Sequence, residues 1–278
     1  MLQKEFNWKT NAQIVIYGRH WSAENPKAVV CLVHGLGEHI NRYDHLARYF
    51  NQAGFVVIGN DHCGHGRSEG KRGHVSQYDN FLMEVRHLLA TAKAHYKGLP
   101  IFLYGHSMGG NIVLNYVLEK KPNIAGIITT GAWIKLAKPP SALLYQTGKL
   151  VSKIAPSITQ SNDLDPRHIS TNPVEVDAYK NDPLVHGQIS LGMAVGVFKA
   201  ADRIAKFSGS LSAPLLAMHG EQDQIVSAEG TTALEKRMQS PIEVKIWEGL
   251  FHEIHNEPNQ EEIFDYVIEW MEKQMTEG

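Results

Sequence analysis

The sequence predicts an α/β fold: a mostly parallel sheet with helices on both faces and a helical insertion late in the chain. Three observations carry this. Short runs that are apolar throughout, such as "AVVCLVHG" (28–35), "FVVIGND" (55–61) and "PIFLYGH" (100–106), read as strands buried on both faces. Amphipathic runs of helical spacing alternate with them, which is the order of parallel strands and their crossovers. The rhythm breaks across residues 133–211, which hold six prolines and no clear strand.

Taken in order, "IVIY" (14–17) and "AVVCLVHG" read as the first strands. "RYDHLARYFNQAG" (42–54) has helical spacing and ends on a glycine, a common helix stop. "FVVIGND" is the next strand, followed by a helix over 78–96. The "PIFLYGH" strand runs straight into a helix over 107–121, and "IAGIITTGA" (124–132) is a further strand. After the break come the strand "PLLAMHGEQD" (214–223), a helix over 229–239, the strand "IEVKIWEG" (242–249) and a helix over 259–275. The expected division is a core of residues 1–132 and 212–278 and a helical cap of residues 133–211, built around "SALLYQTGKLVSKIA" and "ISLGMAVGVFKAADRIAKF".

Composition narrows the function. A chain of 278 residues, 43% of them hydrophobic, can bury a sizeable core. A formal charge of −2 with no basic run gives no broad attraction for nucleic acid or anionic surfaces. Two cysteines make no disulfide framework, and Cys31 sits in an apolar run as a small core residue. The N-terminal stretch has no continuous apolar leader, and no window approaches the ~20 apolar residues of a membrane span, so a cytoplasmic location is expected.

The chemistry is concentrated in "GHSMG" (105–109), which fits G-x-S-x-G between a strand and a helix. At the apex of such a turn the backbone is strained, and side chains on the flanking residues would collide, hence glycine there. The helix beginning at Ser107 aims N–H groups and a partial positive charge at the same spot. A serine hydroxyl needs a base, and the base a carboxylate, in the chain order Ser, Asp or Glu, His. Asp223 leaves a strand end in the right place, with Glu221 as the alternative. His252 and His255 are the histidines that follow, and His252 stands where a loop leaves a strand. An oxyanion needs donors: the N–H of Met108, after the serine, and that of Leu36, between Gly35 and Gly37. His34 and Glu38 read as braces of that loop.

The segments "HGLGEHINRYDHLA" (34–47), "DHCGHGRSEG" (61–70), "GHSMGG" (105–110), "GEQDQIV" (220–226) and "FHEIHNE" (251–257) together resemble the monoacylglycerol lipase and lysophospholipase group of the α/β-hydrolases. The resemblance covers almost the whole chain from about residue 5 and is loosest across 133–211. It implies Ser107 as nucleophile, Asp223 as orienting acid, His252 rather than His255 as base, and Leu36 and Met108 as oxyanion donors. It also implies no cofactor and no metal, a single-chain lipid ester as substrate, and a cap over the acyl pocket. Two apolar stripes of the insertion suit that role, and Leu143, Leu144, Met193, Val197 and Phe198 are the expected substrate contacts. Through the same stripes the cap would touch lipid surfaces transiently. The competing readings are a lysophospholipase, a generic carboxylesterase and a ligand-binding receptor module on the same fold. A metallohydrolase fits poorly: the histidines of "HGLGEH" and "DHCGHG" match no H-E-x-x-H run, and His62 and His65 read as loop supports.

Overall fold

The computed structural model describes residues 3–277; residues 1, 2 and 278 of the expected core lie outside them. The chain runs β1 (Gln3–Lys9), β2 (Val15–Trp21), β3 (Ala28–Val33), α1 (Asp44–Gln52), β4 (Phe55–Asn60), α2 (Asp79–His95), β5 (Ile101–His106), α3 (Met108–Lys120) and β6 (Gly126–Thr130). Next come α4 (Ala142–Val151), β7 (Thr159–Ser161), α5 (Pro173–Asn181), β8 (Gln188–Ser190) and α6 (Leu191–Lys206). The chain closes with β9 (Leu215–Gly220), α7 (Ala228–Glu235), β10 (Ile242–Trp247) and α8 (Gln260–Glu277). Among the described residues the main sheet has eight strands in the order β1-β2-β4-β3-β5-β6-β9-β10. Strands β4, β3, β5, β6, β9 and β10 of that sheet are mutually parallel; β1 and β2 add an antiparallel edge. This is the α/β-hydrolase fold.

Strand β3 explains the layering. All six of its residues are buried, and they alternate between two cores. Val29, Cys31 and Val33 face the core shared with α2, α3, α6 and α7. Ala28, Val30 and Leu32 face the core shared with α1 and α8. A strand covered on both sides has no need of a polar face, which is why it reads as one apolar run.

Two features depart from expectation. β1 is a strand whose alternating exposed and half-buried residues gave no apolar run to read. The 133–211 segment contains a short antiparallel ladder, β7 with β8, besides a third helix, α5. Pro173 opens α5, and the Asn172 side chain caps it by accepting from Val174 N–H.

Candidate active site

Ser107 is the hinge between β5 and α3, with φ 52° and ψ −117°, a conformation costly for any residue with a Cβ. The corner is clamped from both sides. The Ser107 N–H donates to Thr130 O (2.9 Å), and its carbonyl accepts from Trp133 N (2.9 Å) and Asn111 N (3.1 Å). The flanking glycines are demanded by contact: a Cβ on Gly109 would strike the Val33 carbonyl, and one on Gly105 the backbone of Gly109.

The loops after β9 and β10 bring in the partners. His252 Nε2 lies 2.9 Å from Ser107 Oγ, and His252 Nδ1 lies 2.6 Å from Asp223 Oδ2. Asp223 Oδ1 accepts from Ile225 N (2.8 Å) and Val226 N (2.9 Å), which fixes the carboxylate plane. Burial works against the charge of Asp223, yet His252 and His219 hold its carboxyl well below the usual carboxylate range. For His252, burial lowers the pKa, but the Asp223 carboxylate, its hydrogen bond and the nearby Glu253 and Glu38 carry it above the ordinary imidazole value. His106, 4.8 Å from the His252 ring, is held neutral mainly by its own burial.

The competing residues do other things. The Glu221 carboxylate accepts from Gly249 N–H at 3.2 Å on the surface. His255 stacks on Tyr43 at 4.6 Å between ring centres and lies fully buried.

The N–H groups of Leu36 and Met108 make no hydrogen bond to another protein group among the described residues. Glu38 braces their loop, accepting from Gly35 N (2.6 Å) and Tyr43 Oη (2.8 Å). Arg42 then joins Glu38 to Glu253 with a forked pair of 2.7 Å bonds to the latter, so the loops carrying Leu36 and His252 share one buried network. Glu38 and Arg42, four residues apart, carry a readable spacing. Glu253, 211 residues from Arg42, carries none.

A cavity of about 370 Å³ opens beside Ser107 and His252, lined by Leu36, Trp133, Leu136, Leu164, Tyr179 and Ile225 among others. None of the expected substrate contacts Leu143, Leu144, Met193, Val197 and Phe198 lines it. Met193 and Val197 are fully buried on the stripe of α6 that packs against α3. Leu143 and Leu144 point to solvent, 79% and 60% exposed. Phe198 packs edge-on against Trp133 and Tyr145. A larger hollow of about 930 Å³ lies at the opposite end of the sheet, bordered by Pro100, Pro214 and Pro241. Open α/β sheets bind at the carboxyl ends of their strands, which assigns the site to the smaller cavity.

Fold and site define a serine hydrolase of the α/β-hydrolase class. More specifically, residues 24–259 match the family model described as serine aminopeptidase, S33, and the chain belongs to that family. A monoacylglycerol lipase of Mycolicibacterium smegmatis is 36% identical over 254 residues, spanning 90% of each chain. An uncharacterized abhydrolase domain-containing protein of Dictyostelium discoideum is also 36% identical; the match spans 92% of this chain and 28% of that one. The crystal structure of Paleococcus ferrophilus monoacylglycerol lipase superposes with a TM-score of 0.83 at 32% identity, covering 93% of this chain and 99% of that one. Among the described residues, no helix is long and apolar enough to cross a membrane.

Proposed function

We propose that this chain hydrolyses monoacylglycerols to fatty acid and glycerol through an acyl-enzyme on Ser107, without metal or cofactor. The observation that carries the reading is the unbroken chain Ser107 Oγ–His252–Asp223 opening onto a largely apolar cavity. His252 takes the hydroxyl proton as Ser107 Oγ attacks the ester carbonyl, and the oxyanion lies against the Leu36 and Met108 N–H groups. Collapse breaks the ester bond, and the proton on His252 passes to the departing glycerol oxygen. Water then loses a proton to His252 and attacks the acyl carbon; collapse breaks the bond to Ser107 Oγ, His252 returns the proton to that oxygen, and the fatty acid leaves.

Residues 133–211 act as a cap: the stretches 133–138 and 162–168 and Tyr179 of α5 border the cavity, while α6 anchors the segment in the core. The apolar side chains of α4, exposed to solvent, suit brief contact with the lipid surface that holds the substrate. Two free thiols at Cys31 and Cys63 suit the reducing cytoplasm.

An activity panel tests the substrate. Monoacylglycerols should turn over faster than lysophosphatidylcholine, short aryl esters and aminoacyl arylamides, and Ser107→Ala should abolish all of it. An organophosphorus probe should label Ser107 covalently. A preference for arylamides would favour the peptidase activity that the family description names; a preference for short aryl esters would leave a generic esterase.

A further inference from the structure

His219 is an unassigned imidazole inside the site. It lies on β9, four residues before Asp223, fully buried. Its Nε2 is 3.0 Å from Asp223 Oδ2, the oxygen that also faces His252 Nδ1, and 3.1 Å from the Val226 carbonyl. Both neighbours of Nε2 are acceptors, so that nitrogen carries a hydrogen. Nδ1 lies 2.8 Å from Thr231 Oγ1 on α7; in the neutral ring it accepts from that hydroxyl, which locks the tautomer.

We infer that His219 is a positioning residue that shares Asp223 Oδ2 with His252 and thereby sets how basic the catalytic imidazole is. The inference rests on the triad reading above. A carboxylate oxygen that accepts from two N–H groups pulls less strongly on either one. With the His219 donor gone, the full negative charge of Oδ2 falls on His252, whose protonated form is then favoured. The other groups facing His252 remain in place: His106 on β5, Glu253 and Glu38 with their shared Arg42, and His255. The shift therefore belongs to position 219.

The test compares pH profiles of kcat/KM for wild type, His219→Leu and His219→Gln on one soluble ester. Leucine removes the donor, and the acidic limb should move up by about 0.5–1 pH unit. Glutamine places an amide N–H where Nε2 was, and should restore the limb to within a few tenths of a unit of wild type. A limb that stays put in His219→Leu, or moves equally in both variants, overturns the inference. If His219→Leu does not fold, Thr231→Val frees the tautomer and should move the limb in the same direction by less; an unmoved limb there is equally fatal. Loss of the triad reading is separately visible, as wild-type enzyme with no Ser107-dependent turnover.

Discussion

Helices α4 and α6 both lie between β6 and β9 and carry similar apolar stripes, yet the fold uses them oppositely. In α6, Met193, Val197, Ala200, Ala201 and Ile204 are buried, and the helix is stitched to α3: Asn115 Nδ2 donates to the Ala200 carbonyl at 3.1 Å. In α4 no residue is buried, and Leu143, Leu144 and Leu150 stand largely in water. An apolar stripe therefore states that a helix face wants cover without stating from what. α6 is covered by the molecule itself. α4 is left with a face that another apolar phase can cover.

Substitutions can break this contrast, and the largest effect is expected in α6. Met193→Ala should lose about 2–5 kcal/mol of stability in denaturant titration, the range for emptying a core site. Asn111 is next: buried, it accepts from Tyr78 Oη (2.7 Å) and donates to the Trp133 carbonyl (2.8 Å) beside the Ser107 corner. Asn111→Ala should lose about 1–3 kcal/mol by leaving those partners unpaired. The smallest stability change is expected in α4, where Leu143→Ser with Leu144→Ser should stay within about 0.5 kcal/mol of wild type. The same pair should slow hydrolysis of a dispersed long-chain monoglyceride several-fold while a dissolved aryl ester is unaffected.

Titration sharpens the comparison further. In the proposed mechanism His252 must be neutral to accept the serine proton, and its carboxylate neighbours hold its pKa above the ordinary 6.5. Activity should therefore fall as pH drops through a value above 6.5, the limb seen in kcat/KM. The α4 double variant should trace the same limb as wild type, since it touches none of the groups around His252.

The legible parts of the molecule share a cause. The parallel strands and the Ser107 turn are dictated locally, by apolar runs and by glycines that contact forces on the corner. Chain order and the need for a strand end pointed to Asp223 and His252 while leaving Glu221 and His255 open; the folded chain brings His252 within hydrogen-bond reach of both Asp223 and Ser107. β1 was not legible because half its residues face solvent, and the β7–β8 ladder because three-residue strands have no period. The cavity walls were missed for a related reason: Trp133, Leu136, Leu164 and Ile225 sit in loops whose position depends on tertiary contact alone. The Arg42–Glu253 pair and the closeness of His219 to Asp223 were likewise invisible until the chain was folded.

The φ of 52° at Ser107 has one more consequence. Glycine adopts that geometry freely, so Ser107→Gly should yield a sturdier but inert protein. Directed evolution for heat tolerance, run without an activity screen, should accumulate glycine at this position. Reactivity and robustness are here opposed at a single Cβ.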